Sequence, residues 1–336
     1  MPSPAPARST ERLPVIGFHA SHEQIDPRAL LAAVTHAETV GFTAAMCSDH
    51  IAPWSVRQGQ SGFAWSWLGA ALEATNLPFG VVTAPGQRYH PAIIAQAIGT
   101  LGQMYPDRFW AALGSGEFLN EHITGEPWPR KELRNERLEE SVRVMRALLQ
   151  GEEVSSDGSV TVDRAKVWSR PDTPPPLVVA AYSAATAGWA ASWADGLVTV
   201  AQPVDVLREV LGAYDSAGGT GRRALQVHLS WAGTDEEAGA IAHDQWRTNA
   251  FAPPVPWDLD TPETFDEVSK HITPDDLRES VLISSDLGWH AARLAEFAEL
   301  GFDDIYLHHV GRQQQGFLDA FGDSVLPQLR TTGVSS

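Results

Sequence analysis

Eight short runs of successive apolar residues punctuate the chain: Val15–Ala20, Ala44–Asp49, Phe79–Ala84, Phe109–Gly114, Leu177–Ala181, Leu197–Ala201, Leu225–Trp231 and Ile305–Val310. Unbroken apolar runs, as opposed to alternating ones, fit parallel strands buried on both faces. Between them the pattern turns helical. Pro27–Val40 follows Asp26, a good N-cap, and stops at Gly41. Lys131–Leu149 carries Leu133, Leu138, Val142, Met145 and Leu148, which read as one face, and His290–Leu300 stops at Gly301. Strands separated by helices predict an α/β fold, a (β/α)8 TIM barrel. A doubly wound sheet is the alternative, but no G-x-G-x-x-G follows the first strand. Glu117–Pro176 and Ala232–Ser280 are too long for plain loops and read as insertions after strands 4 and 7, on the face where a barrel keeps its chemistry.

Composition narrows the function. A chain of 336 residues, 43% hydrophobic, can bury one barrel domain over 13–330, with disordered tails at 1–12 and 331–336. The net charge of -18 gives no basic footprint for a nucleic acid. One cysteine, Cys47, excludes an internal disulfide and a cysteine metal cluster. His308 and His309 resemble a metal pair, yet neighbours on a strand point to opposite sides, so no metal site is expected. No apolar run reaches membrane length, and the Pro/Ser/Ala-rich start lacks a signal core. These features predict a soluble cytoplasmic enzyme acting on a small molecule, with no nucleic acid or membrane partner.

Candidate chemistry lies at the strand ends. The second strand leads into Ser48-Asp49-His50-Ile51-Ala52-Pro53-Trp54. Histidine exchanges a proton near neutral pH, and Asp49 could set its tautomer or touch a cofactor; a capped loop with a packed tryptophan fits equally well. The third ends in Val82-Thr83-Ala84-Pro85, where strain or a cis peptide would let the chain bulge behind a ring. Arg88, just beyond, reads as a surface partner for a carboxylate. The fourth ends in Gly114-Ser115-Gly116-Glu117: glycines admit close approach, and Glu117 points to the mouth as a proton donor. In isolation this is an ordinary turn. The fifth ends in Tyr182-Ser183-Ala184-Ala185-Thr186, either a phosphate site at a helix start or a plain serine cap. Trp65 and Trp67 alternate and could line a cavity. A hydrolase elbow, G-x-S-x-G, is missing.

Taken together, Ile16-Gly17-Phe18-His19-Ala20-Ser21-His22-Glu23-Gln24, the Ser48–Trp54 run, Tyr89-His90-Pro91-Ala92-Ile93-Ile94-Ala95-Gln96-Ala97 and Gly114-Ser115-Gly116-Glu117-Phe118-Leu119-Asn120-Glu121 resemble the luciferase-like superfamily. The likeness falls in the branch holding the coenzyme F-420-dependent glucose-6-phosphate dehydrogenases and extends from about Pro14 to Arg330. The resemblance implies a flavin or deazaflavin ring at the barrel mouth and hydride transfer to or from a small alcohol or carbonyl compound. It assigns Asp49 to the cofactor, His50 as the base, Trp54 as a wall and Glu117 as the acid. It also puts a non-proline cis peptide at Val82-Thr83, and phosphate binding at Ser183 and Thr186. It further implies a homodimer. The chain departs from the pattern at Leu197–Pro203, which lacks the lysine that holds the sugar phosphate, so glucose 6-phosphate is a poor substrate. Tyr182-Ser183 replaces a glycine pair and crowds the exit of a deazaflavin tail, which favours FMN over coenzyme F-420. An FMN monooxygenase, using reduced flavin and oxygen, is the alternative activity, and a non-catalytic flavin carrier a third.

Overall fold

The computed structural model describes residues 13–331. The tail expected at 1–12 lies outside the described residues, as do residues 332–336, whereas Thr331 still belongs to the last helix. All eight expected strands form: β1 Val15–Ala20, β2 Ala44–Ser48, β3 Phe79–Thr83, β4 Phe109–Leu113, β5 Leu177–Ala180, β6 Gly196–Val200, β7 Arg222–Ser230 and β8 Asp304–His309. Each pairs in parallel with the next, and β8 pairs with β1, which closes the (β/α)8 barrel and removes the open-sheet alternative. β7 starts at Arg222, ahead of its apolar run. Arg222 and Arg223 can occupy a strand because they pair with Asp304 and Asp215.

Helices occupy the outer layer. α1, Pro27–Thr39, starts where Asp26 accepts from the N–H groups of Arg28 and Ala29, both at 3.1 Å, with Pro27 in the first turn. It buries Leu30, Val34 and Ala37, spaced for one face, and Gly41 at φ +107° turns the chain away. α2 is Ala64–Ala74 and α3 is Pro91–Met104. α4, Lys131–Gln150, buries Leu138, Val142, Met145 and Leu148 as expected, but Leu133 is exposed. Five residues separate Leu133 from Leu138, a rotation that leaves the shared face. Arg134, four residues before Leu138, takes the buried position instead. α5 is Ala184–Ala190, α6 Val204–Ser216 and α7 Leu287–Glu299. α7 begins before His290 because Asp286 caps the N–H groups of Gly288 and Trp289. α8, Gln314–Ala320, completes the ring.

The insertion after β4 also carries an antiparallel hairpin, Val154–Asp157 with Thr161–Ala165, whose polar alternation hid it. The insertion after β7 contributes helices at Asp235–Trp246, Val255–Asp258 and Pro262–Val268, and the strand Leu282–Ile283 then pairs with Leu229 and Ser230.

Inside the barrel, Met46, Trp110 and Tyr306 pack with Ala44, Ala112, Val178, Val198 and Ala224, the two large rings 5.9 Å apart. Gly17 and Gly80 make room for them, since a Cβ there would collide with Tyr306 and Trp110 respectively. Two to four residues further along β1, β7 and β8 the same inward face turns polar: His19, Gln226, His228 and His308. That layer is the floor of the site.

Candidate active site

The C-terminal ends of the strands surround a cavity of about 300 Å³. The insertion after β7 roofs it through Trp246, Phe251, Pro253 and Trp257. β2 stops at Ser48, although the Asp49 N–H still donates to the Val82 carbonyl at 2.9 Å, so His50 departs at the rim. Its Nδ1 lies 2.6 Å from Glu23 Oε1, and the other Glu23 oxygen accepts from Ser21 Oγ at 2.6 Å. Nε2 is left facing the cavity, 3.8 Å from Glu117 Oε2. The Trp54 ring stands edge-on to His50 with centroids 5.2 Å apart and rests on Phe265 at 5.3 Å. Neutral His50 held by Glu23 is thus a proton acceptor aimed at the cavity.

Charge follows this geometry. Burial works against a charged His50, but the hydrogen bond and charge of Glu23, helped by Glu117, outweigh it and raise its pKa above the usual value. Burial likewise opposes a charged Glu23, yet His50 and Ser21 hold its pKa down at about 2. Glu117 moves the other way, raised by burial and by the neighbouring Glu23. The two carboxylates flanking one imidazole therefore differ: one is a fixed anion, the other is ready to carry a proton.

Asp49 lines the cavity, but its oxygens take four protein donors: Trp65 Nε1 at 3.1 Å, Thr83 Oγ1 at 3.0 Å, Arg88 Nη2 at 3.3 Å and the Tyr89 hydroxyl at 3.3 Å. Arg88 is not a surface residue; its side chain is 5% exposed and is pinned under the site by this pair and by the Asp49 carbonyl at 2.7 Å. The cis peptide expected at Val82-Thr83 is absent: among the described residues the cis bond is Pro253–Pro254. Thr83 stays in regular register opposite Leu113, and its carbonyl accepts from the Gly114 N–H at 2.9 Å.

Val82, Gly114, Ser115 and Gly116 line the wall beside β3 and β4, and Gly116 adopts φ +84° beside the Glu121 side chain, a conformation open to glycine. Asn120 ties two walls together, accepting from the Ile51 N–H at 2.9 Å and donating to Glu117 at 3.3 Å. Tyr182 and Thr186 reach the cavity. Ser183 does not; its hydroxyl caps the short α5 through the Thr186 N–H at 3.3 Å. Trp65 and Trp67 do not line the cavity either, because they belong to α2, where Trp65 holds Asp49 and Trp67 packs against Phe79 and His22.

Several buried polar atoms around the cavity have no partner among the described residues: His19 Nδ1, Arg88 Nε, Glu121 Oε1 and Thr199 Oγ1. Burial raises Glu121 to about 6. Unspent donors and acceptors above an aromatic-walled floor fit a flat heterocycle bearing ring carbonyls and N–H groups. Among the described residues no group of three or more His, Cys, Asp or Glu could hold a metal ion, and no helix is long and apolar enough to cross a membrane. His308 and His309 do point apart: His308 stacks on His19 in the floor, His309 on Phe317 outside the barrel.

The residues missed from sequence are Glu23, Asn120 and the histidine floor. An acid at the C-terminal end of the first strand was the available signal for Glu23. His19 and His228 sit in apolar strands, where a histidine reads as packing.

Comparisons with known proteins agree with the barrel fold and identify its family. The profile of the luciferase-like monooxygenase family matches residues 13–304. An F420-dependent glucose-6-phosphate dehydrogenase from Kribbella flavida is 34% identical over 95% of this chain and 99% of its own length. One from Intrasporangium calvum is 32% identical over 94% and 98%. Among solved structures, an F420-dependent secondary alcohol dehydrogenase in complex with an F420-acetone adduct superimposes with a TM-score of 0.87 at 30% identity, covering 95% of this chain and all of the other (100%). A type II Baeyer-Villiger monooxygenase constituent from Pseudomonas putida, in complex with FMN, shares the fold at a TM-score of 0.66 and 17% identity, over 94% of this chain and 99% of the other.

Proposed function

This chain belongs to the luciferase-like monooxygenase family and is an oxidoreductase, and from that premise we propose that it moves a hydride between a small uncharged alcohol or carbonyl compound and a deazaflavin of the coenzyme F-420 type. The observation that carries the reading is the Glu23–His50 pair with Nε2 aimed at the cavity, 3.8 Å from Glu117. Bound there, the ring supplies the hydride acceptor or donor. In oxidation, His50 takes the hydroxyl proton as the carbonyl forms, and Glu23 holds the imidazolium that results. In reduction His50 returns that proton. Trp54 and the roof residues exclude water, while Glu117 and Asn120 fix the side of the cavity facing Nε2.

FMN, favoured by the sequence, takes second place. The two dehydrogenases and the alcohol dehydrogenase described above, each sharing 30% or more of its residues with this chain, are named for F420, and the FMN-bound neighbour shares the fold alone. Tyr182 supported FMN by crowding the tail, but the residue is 40% exposed at the rim, which leaves a tail room to pass.

Titrating the purified protein with coenzyme F-420 and with FMN, then following alcohol oxidation with each, tests the proposal. Turnover with the deazaflavin and no incorporation of labelled oxygen into product is expected. Labelled oxygen in the product, with reduced FMN required, would establish the monooxygenase reading instead.

A further inference from the structure

The cavity is lined by four acidic side chains, Glu23, Asp49, Glu117 and Glu121, and by two cations, Arg88 and Lys131. Arg88 is already committed to Asp49. Lys131 is not committed to an acid. Its Nζ donates to Ser115 Oγ at 2.7 Å in the turn after β4, and it lies 5.4 Å from the centre of the Trp257 ring. Among the described residues no carboxylate lies within ion-pair distance of it. Trp257 in turn stands edge-on to Tyr182, with centroids 6.1 Å apart. Lys131, Trp257 and Tyr182 therefore form an arc at the mouth, between the ends of β4 and β5, away from the His50 side. A half-buried ammonium without a counter-ion is costly in any protein. In a chain of net charge -18 it could have been paired with ease.

We propose that Lys131 is the anion anchor of the site, binding the phosphate-bearing tail of the cofactor where the tail leaves the cavity. The proposal rests on the flavin-type reading above and deepens it. It also moves the anionic contact away from Ser183, whose hydroxyl is spent on capping α5. Both FMN and coenzyme F-420 carry a phosphate on the side chain of the ring, so the chemistry recognised is shared. Burial, with Arg134 nearby, lowers the Lys131 pKa to about 8. An incoming phosphate should therefore meet a charged lysine at neutral pH and a neutral one in mild alkali.

The test is a fluorescence titration of wild type, Lys131→Met and Lys131→Arg with four ligands: FMN, riboflavin, coenzyme F-420 and the phosphate-free deazaflavin. Lys131→Met should weaken both phosphate-bearing ligands by about tenfold or more, the loss of one charge-assisted contact. It should leave the phosphate-free rings within about twofold, and Lys131→Arg should retain most of the affinity. The advantage of FMN over riboflavin in wild type should shrink as pH rises through about 8. Thermal melts of each variant establish that it is folded. Equal weakening of phosphate-bearing and phosphate-free rings would make Lys131 structural and overturn the proposal, as would unchanged affinity for both phosphate-bearing ligands. If wild type binds none of the four, the flavin-type reading itself falls, and this anchor with it.

Discussion

Glu23 and His50 work as a unit, and each predicts how the other behaves. The raised His50 pKa places its titration above about 6.5, the ordinary histidine value. In alcohol oxidation only the neutral imidazole accepts a proton, so kcat should climb with pH through that raised value. In carbonyl reduction the protonated form is needed, and kcat should fall across the same interval. Glu23→Gln removes the anion that raises the pKa, so the oxidation limb should move to lower pH. His50→Asn should retain cofactor binding and slow hydride transfer by roughly 10²–10⁴-fold, the range for losing a general base. Rapid-mixing measurements of cofactor reduction across pH, on all three proteins, check both statements. A Glu23→Gln profile that keeps its wild-type limb would remove Glu23 from the proton path. Linkage gives a stability counterpart. Glu23, depressed to about 2 in the fold, contributes stability that is complete above its unfolded value and is lost as pH falls toward 2. His50, raised in the fold, contributes stability below about 6.5 that is lost as pH climbs through its folded value.

The loop after β2 is clasped to the insertion after β7, and this clasp decides where Trp54 stands. Asp266 accepts from Ser55 Oγ at 2.7 Å, the Val56 N–H at 3.1 Å and Arg57 Nη1 at 2.8 Å. The adjacent Phe265, fully buried, supports the Trp54 ring. Asp266→Ala should therefore raise KM for the organic substrate several-fold while lowering kcat less, because the wall moves but the Glu23–His50 pair does not. Equal losses in both, or a stability loss with unchanged KM, would confine Asp266 to a structural role. The barrel was readable because parallel strands buried on both faces leave continuous apolar runs, and even their ends were close. The rest was hidden for separate reasons. Arg222 and Arg223 extend β7 through ion pairs made with Asp304, 82 residues along the chain, and with Asp215 at the end of the preceding helix. The hairpin at Val154–Asp157 and Thr161–Ala165 is mostly polar and exposed. Leu133 was misplaced by reading apolar identity without helical angle. His50, Trp54 and Glu117 were legible from position after a strand, and they do converge. Glu23 joins them only because β1 and β2 are neighbours in the sheet, a contact spanning 27 residues of chain.

Charge over the whole protein bears on which substrate reaches this site. A net charge of -18 and four acids in the cavity wall oppose the approach of an anion. With the cofactor bound, the proposed anchor at Lys131 is spent on its phosphate. The stretch after β6, where the resemblance expects a lysine for a sugar phosphate, has Gln202, whose amide donates to the Tyr182 carbonyl at 3.0 Å. The relatives named as glucose-6-phosphate dehydrogenases therefore predict the reaction type better than the substrate. A neutral secondary alcohol should show a kcat/KM that is flat with ionic strength, since screening acts only between charges. Glucose 6-phosphate should be a poor substrate whose kcat/KM rises with salt, as the Debye length shrinks from about 30 Å at 0.01 M to about 8 Å at 0.15 M and the repulsion is screened. Steady-state kinetics at saturating cofactor, over that salt range, separate the two cases. A sugar phosphate used efficiently at low salt, with kcat/KM falling as salt is added, would require a cationic substrate site, and the four acids around His50 would then have to be outweighed by residues other than Arg88 and Lys131.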